Sequence, residues 1–201
     1  MFCGINLLGT NERLLSFEKP VMSSPLWAYP RWPASNAVKL INESNILQQC
    51  TWDNDGSVAI GAGINRFWQV DLQGNFFITK VQVLGFNRPS NDNDGLTTHF
   101  KNVQINVCQD DQGEDCTNCN HALLNVGERE WGARLCSENI KGRYIRLLNE
   151  NTGISNWHFC RVEVYGFDGI LYKEISRHGQ MNDISKIPDR YLGSSKISFS
   201  F

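Results

Sequence analysis

Seven cysteines, four histidines and two acid-rich loops hold most of the reactive chemistry in this sequence. The cysteines are Cys3, Cys50, Cys108, Cys116, Cys119, Cys136 and Cys160. That density suits an oxidising, extracellular setting better than a reducing cytosol. The odd number leaves one thiol unpaired or bridged to another chain. Zinc is a competing reading, because Cys116-Thr117-Asn118-Cys119 has knuckle spacing and His121 is close. A second Cys-x-x-Cys is missing, so disulfides are expected instead. The loops Pro89–Gly95 and Gln109–Asp115 are acidic enough to suggest calcium. Neither spaces its oxygens as an EF-hand does, and solvated hairpin tips are the expected reading.

The histidines, His99, His121, His158 and His178, are scattered. There is no nucleophile elbow, no His-Glu-x-x-His and no phosphate-binding glycine loop. Asp110 and Asp111 sit in a polar loop, a poor place to hold a general acid and base at fixed separation. The expectation is a binding protein and not an enzyme.

Bulk composition narrows the partners. A formal net charge of -2 gives no basic field for a phosphate backbone, so nucleic acid is excluded. No run approaches the length of a transmembrane helix. Met1–Thr10 lacks the basic start and unbroken apolar run of a signal peptide. Either a leader has been removed or the chain begins inside a longer precursor.

The elements that would position any site read as short strands. Phe67–Leu72 alternates for part of its length, and a second strand is expected within Phe76–Phe86. Val103–Val107, Tyr144–Leu147 and Val162–Gly166 alternate as well. Such alternation buries one face of a sheet and wets the other. No long stretch carries a helical period. Short strands among Gly-, Asn- and Asp-rich turns indicate a sandwich or jelly roll. Residues 1–13 form an N-terminal arm, 14–167 the β-sandwich, and 168–201 a polar, cysteine-free extension. That extension ends in Lys196-Ile197-Ser198-Phe199-Ser200-Phe201, which alternates like a strand and is expected either to pair with a sheet edge or to fray.

Several segments in series resemble the fucolectin (F-type lectin) branch of the discoidin, or coagulation factor C-type, family. They are Ala34–Val38, Cys50-Thr51, Asn65–Leu72, Ile78–Val81 with Asn87-Arg88, Gly142–Arg146 and Cys160–Gly166. The resemblance implies an all-β, disulfide-stapled jelly roll of about eight main antiparallel strands with loops gathered at one end. It implies the disulfides Cys50–Cys160, Cys119–Cys136 and Cys108–Cys116, with Cys3 left over. Bridging Cys116 to Cys119 instead would leave Cys108 without an evident partner.

The resemblance also places the sugar ligands. Fucolectins use a histidine after the Cys-Thr pair and two arginines; the matching positions here are Trp52, Arg88 and His99. One of the three is retained. Trp52 can stack on a pyranose face, and Lys101 can restore charge near His99. An altered glycan site of Trp52, Arg88, His99 and Lys101 is therefore expected. The family's calcium carboxylates fall on Lys39 and Arg161, two cations where calcium needs hard anionic oxygens. No calcium or other cofactor is expected. The Lys39 ammonium is expected to bond backbone carbonyls near Asn36 instead. Asn42-Glu43-Ser44 is a glycosylation sequon.

The resulting expectation is a secreted, fucolectin-like carbohydrate-recognition module whose partners are glycans or glycoproteins. The alternative is a structural or adhesive subunit of an extracellular assembly, joined to copies of itself or other partners through its terminal arms. Membrane binding through Trp27, Tyr29 and Trp32 is disfavoured, since a single aromatic-rich loop more often packs inward.

Overall fold

Alternating sequences of this kind pair into antiparallel ladders, and every ladder here is antiparallel. The computed structural model describes residues 12–24, 33–40, 50–52, 66–85, 100–127, 129–137, 140–149 and 158–168. Within them lie ten strands: β1 (Arg13–Leu14), β2 (Val21–Ser23), β3 (Thr51–Trp52), β4 (Arg66–Gly85), β5 (Phe100–Cys108), β6 (Cys116–Asn118), β7 (Leu124–Val126), β8 (Trp131–Leu135), β9 (Lys141–Asn149) and β10 (His158–Asp168). A 3-10 turn covers Ala34–Val38. The fold is a discoidin-like β-sandwich.

The two strands expected across 67–86 are one, the 20-residue β4. Its first half pairs with β2 and β9, and its second half with β8, β10 and, at Phe76 and Phe77, β9. Trp68, Val70 and Leu72 from the first half and Ile78, Val81 and Val83 from the second belong to one core cluster. The core-facing positions are even-numbered as far as Ile78 and odd-numbered from Val81, so their parity changes at a point between the two. Thr79 is that point: Gly166 opposes Ile78 and Tyr165 opposes Lys80, leaving Thr79 as the extra residue. A bulge of one residue turns the following side chains to the other face. The Thr79 hydroxyl donates to the Tyr165 carbonyl at 3.1 Å.

β5 and β9 bury Val103, Ile105, Val107, Ile145 and Leu147 on the same core, as their alternation predicts. On the outer face, Asp71 and Arg143 form a two-pronged ion pair at 2.8 Å. The hydrogen bond from Arg143 holds the Asp71 carboxyl below the usual carboxylate range. Nearby, the Arg146 guanidinium lies 3.8 Å over the Phe67 ring and donates to the Gln112 carbonyl at 2.7 Å.

Three disulfides close the domain: Cys50–Cys160, Cys108–Cys116 and Cys119–Cys136. These are the pairs that the family resemblance implies. Cys116 and Cys119 are engaged in different bridges, which removes both thiolates of the zinc reading.

Candidate functional site

Phe159 is the residue around which one end of the sandwich is assembled. It is fully buried. Its ring meets Phe100 at 5.0 Å and Trp68 at 5.8 Å between centroids, both edge-on. Its backbone pairs with Thr51 on one side and Gly85 on the other. The Thr51 hydroxyl donates to the Phe159 carbonyl at 3.2 Å. The next residue, Cys160, is bonded to Cys50. A bulge allows both orientations: Phe159 opposes Gly85 and Arg161 opposes Leu84, so Cys160 is the extra residue. Phe159 therefore joins the main core while Cys160 joins Cys50 and Leu84 in a separate cluster.

This arrangement brings together the strands that carry the expected ligands. Trp52 follows Thr51 in β3 and pairs with His158. Lys101 follows Phe100 in β5. For Trp52 and Lys101 the structure describes the backbone. Arg88 and His99 lie outside the described residues, in the segment that joins Gly85 to Phe100. Both ends of that segment thus meet at Phe159. Gly85 is required where it sits, because a Cβ there would run into the Gly127 carbonyl oxygen. Sequence reading passed over Phe159 and Phe100, the two side chains that hold these strand ends together. The only signal for Phe159 is its position before Cys160 at the head of an alternating strand.

Lys39 and Arg161, the positions that the resemblance matches to calcium carboxylates, each take part in polar contacts. Asn36 is buried and donates from Nδ2 to the Cys50 carbonyl at 3.2 Å. Lys39 Nζ donates to Asn36 Oδ1 at 3.4 Å. The expected partner was a backbone carbonyl; the side-chain amide takes that place because its nitrogen is tied to Cys50, leaving its oxygen free to accept. The adjoining turn is held to the core by the Trp68 indole, which donates to the Ala34 carbonyl at 3.0 Å. Arg161 pairs with Glu163 at 2.7 Å. Glu163 also accepts from Gln82 at 2.5 Å and from the Tyr165 hydroxyl at 2.6 Å. Burial, aided by that bond, pushes the Tyr165 hydroxyl up to about 12.

The acidic loop after β5 serves itself. Asp110 accepts from the backbone N–H groups of Gly113, Glu114 and Asp115 at 2.6–3.1 Å. Those bonds hold its carboxyl below the usual range. Gly113 has φ of 80°, and a side chain there would also strike Arg146. Among the described residues, no group of three or more His, Cys, Asp or Glu side chains is arranged to hold a metal. Cys3, Asn42, Trp27, Tyr29, Trp32 and the loop 89–95 lie outside the described residues.

No protein-family model matches the chain, and no curated protein matches it in sequence. Solved structures do match. An F-type lectin (fucolectin) from striped bass serum is 18% identical with a TM-score of 0.55, over 78% of this chain and 48% of that one. This chain therefore spans about half of the striped bass lectin. The family 32 carbohydrate-binding module of Clostridium perfringens NanJ, solved with galactose, is 13% identical with a TM-score of 0.51. The match covers 77% of this chain and 98% of that module. Allantoicase from Saccharomyces cerevisiae is 11% identical with a TM-score of 0.56, over 78% of this chain and 43% of that one. At these identities the likeness is one of fold, and the same fold serves lectins and an enzyme.

Proposed function

We propose that this chain is an extracellular carbohydrate-recognition module whose sugar site is built from Trp52, Arg88, His99 and Lys101. The observation that carries the reading is the convergence at Phe159 of β3, the start of β5 and the end of β4. Each expected ligand lies on one of those strand ends or on the segment between them. Sugar-binding modules of this fold supply the class of ligand: the striped bass protein is a fucolectin, and the NanJ module was solved with galactose. Three disulfides favour an oxidising, extracellular setting.

The residue types suit the task. An indole presents a flat apolar face to the C–H side of a pyranose. Arginine and lysine, which can only donate, suit the lone pairs of hydroxyl and ring oxygens. In this reading the side chains recognise a sugar and carry out no reaction on it. Replacing Trp52 with alanine is expected to weaken glycan binding about tenfold or more while leaving the fold unchanged. Titrating the variant with a glycan that the parent binds checks this. Undiminished affinity removes Trp52 from the site.

The module works without calcium. Lys39 already donates to Asn36, and Arg161 already pairs with Glu163. A divalent cation would have to displace two positive groups from formed interactions. Melting curves in excess calcium and in chelator are expected to coincide. A rise of several degrees in calcium overturns this part of the reading, since any ligand of the folded state raises its stability.

A further inference from the structure

β8 turns its apolar side chains to solvent. Trp131, Ala133 and Leu135 are exposed, the first at 47% and the last at 67%. The residues between them face inward. Gly132 packs against Leu124 and Val126 of β7. The Arg134 guanidinium donates to the carbonyls of Ala122, Leu123 and Ala133. Ordinary half-buried strands show the reverse pattern. Beside this strip, in register, stand Leu84, Gln82 and Lys80 of β4.

The free edge of β8 is guarded while its face is not. Gly85 donates to the Glu130 carbonyl and Cys136 to the Thr79 carbonyl, both at the β4 side. By the alternation of an antiparallel ladder, Trp131, Ala133 and Leu135 direct their backbone groups to the other side. There the Ala133 carbonyl accepts from Arg134 at 2.9 Å and the Leu135 carbonyl from Asn120 at 3.1 Å. Side chains already occupy the carbonyls that an added strand would use. An occupant must come over the face.

Its size and pattern point to one segment. Three side chains are a peptide-sized patch, well short of the roughly 800 Å² per partner that a stable protein interface buries. The same chain carries a second unassigned apolar strip, Ile197, Phe199 and Phe201, alternating with Lys196, Ser198 and Ser200. Asp168 opposes Phe76 and Leu135 opposes Lys80, so the two lie about 16 Å apart across β4. Residues 169–195 reach on the order of 80 Å when extended. We propose that residues 196–201 of the same chain lie over the outward face of β8. Ile197, Phe199 and Phe201 cover Trp131, Ala133 and Leu135, and one aromatic ring fills the dip that Ala133 leaves between its larger neighbours.

The test uses the full chain with Phe199→Ser and Phe201→Ser together, its folding verified by unchanged far-ultraviolet circular dichroism. Hydrogen exchange at the amides of Gly132 and Arg134, which the ladder to β4 holds, is expected to speed up about tenfold or more. Binding of a hydrophobic dye is expected to rise several-fold, and adding Leu135→Lys is expected to return it to the parent level. Unchanged exchange and dye binding in the serine variant overturn the proposal. So does a parent that light scattering shows to be a dimer and that Leu135→Lys makes monomeric, for the strip would then meet a second copy.

Discussion

Phe159→Ala is expected to cost about 3–5 kcal/mol, the range for removing a fully buried phenylalanine. The ring contacts Phe100 and Trp68, so its loss leaves a cavity bounded by two rigid aromatics that cannot collapse into it. Against a typical total stability of about 5–15 kcal/mol, this is a large fraction. Guanidinium unfolding followed by tryptophan fluorescence measures it. Phe159→Leu keeps most of the volume and is expected to recover more than half of the loss. The alanine variant is also expected to lose glycan affinity even where it remains folded, because Phe159 holds β3, β4 and β5 together at the proposed site. A cost below about 1 kcal/mol would show that the site end does not depend on this ring.

Replacing Cys50 and Cys160 together by serine is expected to cost about 4–5 kcal/mol. The bridge joins residues 110 apart in sequence, and closing so long a loop removes much entropy from the unfolded chain. Cys108–Cys116 joins residues only 8 apart, and the same reasoning gives about 2.5 kcal/mol for its removal. The ordering of the two double variants is therefore the sharper prediction. Chemical denaturation of both under identical conditions decides it. If the short bridge matters more, its value lies in holding the Asp110 loop in shape and not in chain entropy.

Much of the fold is legible in the sequence because its central strands alternate cleanly. β5, β9 and β10 alternate over part of their length, through Val103, Ile105 and Val107, Ile145 and Leu147, and Val162 and Val164, and each lies where that pattern puts it. The disulfide pairs follow from the family resemblance and not from spacing, which leaves Cys116–Cys119 open. The continuity of β4 is hidden by Gly74 and Asn75, which read as a break between two strands but sit inside one. Parity shifts at Thr79 and Cys160 are also invisible, since a bulge is a property of pairing between distant segments. β8 escapes notice for a different reason. Its apolar positions face outward, and its short run of Trp131 to Leu135 contains an inward arginine. At the candidate site, residue types name the ligands, but Phe159, which gathers their strands, has no chemistry to attract attention.

The most direct test of the account is a glycan array probed with the purified chain, once with calcium and once with chelator. The account predicts binding to a restricted set of glycans, equal in the two conditions. A blank array from folded protein would contradict the carbohydrate reading itself, and binding that vanishes in chelator would contradict the assignment of Lys39 and Arg161 to a calcium-free site.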